Sequence, residues 1–265
     1  MRRVWATTGW AGAWALVALA ALVPVTAVAA QSTPSIAGAS DLQFALEEIA
    51  TQFERDTGEE VRLTFGSSGN FARQIEQGAP FEIFLSADEA LIYQLADRKL
   101  TQDRGTLYAI GRIVMFVPEG SPVRPSGDLE GLRAALAGKQ IKHFAIANPE
   151  HAPYGRAAEQ ALRHAKLWLP LQPYLVLGEN VSQAAQFAVT GNSQGGIIAY
   201  SLALAPSMKG RGQYSLIPED WHRPLRQRMV LLPKATPTAE RFYAYLQART
   251  ARDIMKGYGF LLPAE

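Results

Sequence analysis

The sequence contains no cysteine. This absence excludes a disulfide framework, a thiolate nucleophile and a thiolate metal site. The sequence also has no internal repeat and no low-complexity tract, so it gives no sign of a repeat architecture. At 265 residues the chain is long enough to be stabilised by an ordinary hydrophobic core, in one large or two modest domains.

Long hydrophobic runs are also missing. The uninterrupted apolar run over residues 11–23 ends at Pro24 and falls short of the ~20 residues that a membrane-spanning helix needs. Arg2 and Arg3 precede this run and small residues follow it, which is the pattern of a cleaved secretory signal peptide. We therefore predict a signal peptide over residues 1–30 and a periplasmic location for the exported chain. Because no cysteine lies near the cleavage site, we do not expect a lipid anchor.

The chain also lacks a large excess of positive or negative charge. The chain carries 26 Lys and Arg against 24 Asp and Glu, and the predicted signal peptide contains two arginines and no acidic residue. The exported chain is therefore close to neutral. A neutral chain lacks the basic surface that nucleic acid or an anionic membrane would require, so we expect no nucleic-acid partner.

Short apolar strands alternate with amphipathic helical stretches, which is the pattern of an α/β fold. The segment YAIGRIVMFVPEG predicts one long strand. The stretch rich in Pro, Gly and Ser that follows it is the first place where we expect the chain to cross between two lobes. We assign residues 31–112 to the first part of lobe 1, residues 113–216 to lobe 2, and residues 217–265 to a return crossing and the second part of lobe 1. The last two helical segments are expected to pack on lobe 1.

Small polar residues cluster where a predicted strand runs into a predicted helix. There are four such junctions in the sequence: Ser40-Asp41, Ser67-Ser68-Gly69, Pro153-Tyr154-Gly155 and Asn180-Val181-Ser182. Each helix N-terminus offers unpaired N–H groups and a partial charge of roughly +0.5. Four of them facing one cleft would bind an anion without lysine or arginine. Each junction alone is equally typical of an ordinary helix cap, so the residues leave both readings open.

Enzyme signatures are weak at these junctions. GSSGN lacks the second glycine of a G-x-S-x-G nucleophile elbow, and no lysine follows the glycines as a phosphate-binding loop requires. A serine hydrolase that uses Ser68 remains the alternative from another class, with a histidine as base. The histidines are His143, His151, His164 and His222, of which only His151 lies near a junction. Ferric binding would call for clustered tyrosines with histidine or carboxylates, and Tyr154 with Tyr200 does not make such a cluster.

Five collinear segments carry a family resemblance: ASDLQFALEEIATQF, GSSGNFARQIEQGAP, FLSADE, NPEHAPYGRAAEQAL and KGYGF. Together they resemble the periplasmic molybdate-binding proteins of ATP-binding-cassette transporters. The resemblance implies a type II periplasmic-binding-protein fold, with two lobes that are each a mixed sheet flanked by helices and with a ligand cleft between them. It implies a monomeric, non-enzymatic binding protein without a cofactor. Its ligand would be molybdate or tungstate, and its partner an ABC permease in the membrane. Sulfate or thiosulfate is the alternative ligand.

The resemblance also assigns site residues. It implies that Ser40 and Ser68 bind the oxyanion through hydroxyl and backbone groups, and that Tyr154 and Val181 bind it through backbone N–H groups. A carboxylate would repel a dianion, so we expect Asp41 to offer only its N–H group and to turn its side chain away from the site, toward its own helix N-terminus. Tyr200 is a weaker candidate, expected to pack rather than to bind. We expect the helix after GSSG to begin at Asn70 or Phe71, with Ser67 serving the turn.

Overall fold

The computed structural model describes residues 33–191 and 193–263. The predicted signal peptide, residues 1–30, lies outside the described residues. Among those residues, no helix is both long enough and apolar enough to cross a membrane. The described residues form one compact unit.

Ten strands and ten α-helices make up the part of the chain that the structure describes. The strands are β1 (Ser35–Ala39), β2 (Arg62–Gly66), β3 (Ile83–Ser86), β4 (Thr106–Gly111), β5 (Ile113–Pro118), β6 (Phe144–Ala147), β7 (Leu175–Gly178), β8 (Gly196–Ala199), β9 (Gly212–Leu216) and β10 (Leu225–Leu231). The helices are α1 (Gln43–Thr57), α2 (Ser68–Glu76), α3 (Glu89–Asp97), α4 (Glu130–Ala137), α5 (Pro153–His164), α6 (Trp168–Leu171), α7 (Val181–Val189), α8 (Tyr200–Ala203), α9 (Pro237–Tyr245) and α10 (Arg249–Gly257).

The strands form two mixed sheets of five strands each. The first sheet has the order β2-β1-β3-β10-β4, in which β1 pairs in parallel with β2 and β3, and β10 runs antiparallel to β3 and β4. The second has the order β7-β6-β8-β5-β9, in which β6 is parallel to β7 and β8, and β5 is antiparallel to β8 and β9. We call each sheet with its flanking helices a lobe, the first and the second. This two-lobed α/β architecture agrees with the predicted fold class.

The chain passes between the two sheets twice. The first passage takes a single residue, Arg112, which separates β4 of the first sheet from β5 of the second. The prediction of one long strand over this segment is wrong, because an apolar run does not show where the chain changes sheet. The stretch rich in Pro, Gly and Ser follows β5 and is not the crossing, which lies where the bounds assigned to the lobes, 31–112 and 113–216, meet. The second passage lies between Leu216 and Leu225.

The two passages are tied to each other by the Arg112 side chain. Its guanidinium forms an ion pair with Glu219 at 2.6 Å and donates to the carbonyl oxygen of Ile217 at 3.3 Å. Both partners belong to the second passage. The two connections therefore form one hydrogen-bonded unit.

Strand alternation gives the first sheet a core on each face. Ile36 and Leu85 point to the face covered by α1, α9 and α10, whereas Ala37 and Phe84 point to the face covered by α2 and α3. The last two helices belong to the first face, since Phe242 of α9 and Met255 of α10 are buried with Phe53 of α1. The prediction that the C-terminal helices pack on the first lobe is confirmed. The second lobe has its own core around β5, β6 and β8.

Candidate functional site

Parallel strands bring three polar junctions of the first lobe to one edge. β1 ends at Ala39, β2 at Gly66 and β3 at Ser86, so the residues that follow them meet at the carboxyl ends of these strands. The N-termini of α5 and α7 face this edge from the second lobe. Between them lies a cavity of about 10 Å³, lined by Ala39, Ser40, Asp41, Gly66, Ser67, Ser68, Ala87, Ala152, Pro153, Tyr154 and Val181. This volume lies below the ~300–1,000 Å³ typical of pockets for organic ligands and suits a small ion.

The hydroxyl groups of Ser40 and Ser68 are available as donors. Ser68 Oγ accepts the Ala87 N–H at 3.0 Å, and Ser40 Oγ accepts the Ser182 N–H at 3.4 Å. Within residues 33–191 and 193–263, neither hydroxyl proton has an acceptor. Both side chains are buried. A buried O–H group is normally hydrogen-bonded. These two protons are without an acceptor, so each can bond to an acceptor placed in the cavity.

Tyr154 and Val181 lie in the first turns of α5 and α7. The first N–H groups of an α-helix have no partner within the helix, and the helix dipole adds positive potential there. Asn180 caps α7 by accepting the Gln183 N–H at 3.0 Å, which leaves the N–H of Val181 outside the cap. The second lobe therefore presents two helix N-termini to the cavity, at the two residues that the resemblance assigns to it.

The expectation for the Asp41 side chain is wrong. The carboxylate does not lie outside the site, although its own backbone N–H is one of its donors. It is buried between the lobes, where its Oδ2 accepts from Tyr154 Oη at 2.9 Å and from Gln227 Nε2 at 2.6 Å. Burial raises the pKa of Asp41 from 3.8 to about 6, and the bonds from Gln227, Tyr154 and its own backbone N–H partly oppose this rise. Two side-chain donors hold the carboxylate in place, so it can stay inside the closed cleft.

Tyr200 lies apart from the other candidates. It is the first residue of α8 and does not line the cavity; its ring packs against that of Tyr214, with centroids 5.7 Å apart. β8 ends at Ala199, so Tyr200 is not a strand residue. Its side chain packs away from the cavity because a helix begins there, and not because of the alternation of side chains along a strand.

The GSSG junction differs from its prediction in where the helix begins. α2 begins at Ser68, not at Asn70 or Phe71, and Ser67 is its N-terminal cap residue in an extended conformation. Ser67 does more than serve the turn, because its Oγ donates to the carbonyl oxygen of His151 in the second lobe at 2.6 Å. The junction thus contributes both a cavity donor, Ser68, and a contact between the lobes.

The arrangement of Ser67 and His151 does not support a hydrolase. Ser67 Oγ lies 3.0 Å from His151 Nδ1, but its single proton already goes to the His151 carbonyl oxygen. Nδ1 must therefore carry a proton and donate to Ser67, so it cannot act as the base that activates this serine. Ser68, the serine of the hydrolase alternative, is hydrogen-bonded to Ala87, and no histidine is bonded to its hydroxyl in the described part of the chain.

Further contacts hold the lobes together around the cavity. Gly69 N–H donates to the His151 carbonyl oxygen at 3.0 Å, and Asn70 is hydrogen-bonded to Glu179. On the other side of the cavity, Ser182 Oγ donates to the Ser40 carbonyl oxygen at 2.8 Å. Together with the contacts of Ser67 and Asp41, these bonds define a closed arrangement of the cleft.

Sequence reasoning missed Gln227 and Tyr108, which lie behind Asp41. Gln227 is completely buried and accepts from Tyr108 Oη at 2.7 Å. One signal was available, since strand alternation places Gln227 on the same inward face of β10 as Leu225 and Met229. A polar side chain at such a position requires a buried partner.

Metal ligation has no support in the described residues. Within residues 33–191 and 193–263, no three His, Asp or Glu side chains come close enough together to hold a metal ion. The donors around the cavity are hydroxyl and N–H groups, which suit the oxygens of an anion.

Two lobes closed over a small buried cavity with helix N-termini define a solute-binding protein. Residues 34–261 match the family of bacterial extracellular solute-binding proteins. The chain is 36% identical over 243 residues to the molybdate-binding protein ModA of Azotobacter vinelandii, covering 88% of this chain and 92% of the relative. It is 33% identical over 247 residues to ModA of Rhodobacter capsulatus, covering 92% of this chain and 94% of the relative.

A solved structure agrees with these similarities. The periplasmic molybdate-binding protein of Azotobacter vinelandii matches with a TM-score of 0.79 at 30% identity. The match covers 87% of this chain and 100% of that protein. The chain therefore belongs to the family of bacterial extracellular solute-binding proteins.

Proposed function

We propose that this protein captures molybdate or tungstate in the periplasm and delivers it to the permease of an ABC transporter. The observation that carries the proposal is the cavity, where the free hydroxyl protons of Ser40 and Ser68 face the helix N-termini at Tyr154 and Val181. Relatives that cover most of the chain are named molybdate-binding proteins, which supports this choice of anion. We further propose that the protein acts as a monomer.

The proposed donors can stabilise a buried dianion. Removing a dianion from water is costly unless its oxygens are hydrogen-bonded. Hydrogen bonds to charged groups contribute ~1.5–3 kcal/mol each. Half a dozen of them support micromolar or tighter binding, about −8 kcal/mol or beyond. No lysine or arginine lines the cavity, so neutral donors would bind the ion.

Such donors also favour fully deprotonated anions. Each serine hydroxyl group gives its proton to the ligand, and each backbone N–H group is a donor only. Neither proton can accept a hydrogen bond from the ligand. The proton of hydrogen phosphate would therefore find no acceptor among these donor groups, at a cost in affinity. Molybdate and tungstate carry no proton at neutral pH and are similar in size. The donor set thus explains a preference for these ions over phosphate.

Calorimetric titration of the purified protein with molybdate, tungstate, sulfate and phosphate tests the proposal. We expect micromolar or tighter binding of molybdate and tungstate, about −8 kcal/mol or beyond, and no detectable binding of phosphate. Sulfate that bound as tightly as molybdate would replace the proposed ligand with sulfate. Absence of binding by all four ions would reject the oxyanion function.

Removing one hydroxyl donor should weaken binding without affecting the fold. We expect Ser68→Ala to reduce molybdate affinity by roughly 1–3 kcal/mol, on the order of tenfold, because the ion loses one charge-assisted hydrogen bond. The matched control is Ser207→Ala, at an exposed serine away from the cavity. Titration of both variants measures the difference, and equal affinities would remove Ser68 from the site.

A further inference from the structure

A socket in the first lobe receives the hydroxyl group of Tyr154. We define the socket by Asp41, Gly111 and Gln227. Asp41 and Gln227 provide its polar groups, and Gln227 Nε2 also lies 3.0 Å from Tyr154 Oη. Gly111 provides the space, because a Cβ atom there would lie only 2.2 Å from Tyr154 Oη and 2.7 Å from Gln227 Nε2. Tyr154 belongs to α5 of the second lobe, so the socket is filled when the lobes are closed.

The orientation of the socket is fixed from behind. Tyr108 Oη donates to Gln227 Oε1, which turns the amide nitrogen of Gln227 toward Asp41 and Tyr154. Tyr108, Gln227 and Asp41 come from three different segments of the first lobe, namely β4, β10 and the turn after β1. All three side chains are buried. The socket is therefore a preorganised feature of the first lobe.

Tyr154 connects this socket to the cavity. Its hydroxyl group lies in the socket, while its backbone N–H lies in the first turn of α5, beside the cavity. A tyrosine side chain has only two rotatable angles, so fixing its hydroxyl group restrains the backbone to which it is attached. The socket thus determines where the first turn of α5 stands relative to Ser40 and Ser68.

The contact with Asp41 is a hydrogen bond to a neutral partner and not an ion pair. The groups that face the carboxylate are Tyr108, Tyr154 and Gln227. Arg226 and Arg228, on either side of Gln227, pair with Glu89 instead. From α7 and α8, Ser182 and Ser201 bond to the backbone carbonyl oxygens of Ser40 and Asp41. What Asp41 supplies to Tyr154 is therefore an acceptor oxygen, which an amide can also supply.

We propose that Asp41 and Tyr154 form a latch that holds the second lobe closed over the bound oxyanion, with the Asp41 side chain as a positioning group and not as an anion ligand. This inference rests on the proposed function, because the latch matters only if the cavity binds an ion. A latch of this kind slows the release of the ion. It does not contribute to the ligand-free, open protein, in which the hydroxyl group of Tyr154 has left the socket.

The release rate of labelled tungstate tests the latch. The protein is loaded with radiolabelled tungstate, chased with an excess of unlabelled tungstate and sampled by rapid filtration. We expect Tyr154→Phe and Asp41→Ala to release the label about 10-fold faster than the wild type, since each removes the hydrogen bond from Tyr154 Oη to Asp41 Oδ2 between the lobes. Asp41→Asn keeps an acceptor oxygen and should release it within about threefold of the wild-type rate.

Two further measurements separate a latch from a general structural role. Tyr200→Phe, which removes a hydroxyl group outside the cavity, should release at the wild-type rate. The melting temperature of ligand-free Tyr154→Phe should equal that of the wild type, because the latch is absent from the open protein. If Asp41→Ala does not fold, Tyr154→Phe alone still tests the latch.

The possible outcomes separate the latch from the function. Wild-type release by Tyr154→Phe would overturn the latch, and so would release by Asp41→Asn as fast as by Asp41→Ala. If the wild type retained no tungstate, the proposed oxyanion function would fall, and the role of the latch in it as well. If the wild type and all variants retained tungstate equally, only the latch would fall.

Discussion

Gly69→Ala is expected to lower the affinity for molybdate more than about 100-fold while leaving the ligand-free fold intact. A Cβ atom at Gly69 would lie 2.4 Å from the carbonyl oxygen of His151, which belongs to the second lobe. This oxygen is part of the backbone, so it cannot move aside as the end of a flexible side chain could. The lobes would have to separate to relieve the clash.

The size of the effect follows from the donors that separation removes. Tyr154 and Val181 would both lose contact with the ion, and two charge-assisted bonds at ~1.5–3 kcal/mol each amount to about 3 kcal/mol or more. Gly69 lies in the first turn of α2, where alanine is favourable for a helix once the lobes are apart. The expected effect is therefore on closure and not on folding.

Titration calorimetry and the ligand-free melting temperature measure the two quantities separately. Gly257→Ala is the matched control, because Gly257 also lies in a helix and a Cβ atom there meets nothing within 4 Å. We expect this control to bind molybdate like the wild type. If Gly69→Ala also kept wild-type affinity, the closed arrangement of the lobes could not be the one that binds the ion.

The second large effect is on stability. Phe242→Ala is expected to lower the free energy of unfolding by about 3–5 kcal/mol, because it leaves a cavity in the core of the first lobe. Phe242 is fully buried in α9, and its ring meets that of Phe53 edge to face, with centroids 5.1 Å apart. At ~2–4 °C per kcal/mol for a domain of this size, the melting temperature should fall by roughly 6–20 °C.

Thermal unfolding followed by circular dichroism measures this change. The control is Leu169→Ala, which shortens a side chain that is 72% exposed and should change stability by less than ~0.5 kcal/mol. Equal melting temperatures for the two variants would mean that α9 is not part of the cooperative core. Phe242→Ala tests the C-terminal packing independently of any ligand.

Much of the candidate site could be predicted because its signals are local. Each polar junction stands between an apolar strand and an amphipathic helix, and a parallel sheet brings the carboxyl ends of its strands together. Ser40, Ser68, Tyr154 and Val181 accordingly line one cavity. Their roles as ligands remain proposals, but their convergence follows from chain pattern and topology.

The remaining features depend on contacts between distant parts of the chain. The segments on both sides of Arg112, β4 and β5, are apolar. Their sequences therefore do not show that they belong to different sheets. The Asp41 side chain could not be placed from electrostatic repulsion alone. Such an argument leaves out the hydrogen bonds that Tyr154 and Gln227 donate to the carboxylate. These residues are far apart in sequence, and nothing in their local context specifies that they meet.

The joined passages at Arg112 have a consequence for the entropy of closure. One passage is a single residue, and its side chain binds the other through Glu219 and Ile217. Each residue of a flexible linker would lose about 1–2 kcal/mol of backbone entropy when the lobes became fixed. Lobes connected by one short, cross-linked unit have little such freedom to lose. More of the free energy of the hydrogen bonds to the ion can therefore appear as binding affinity.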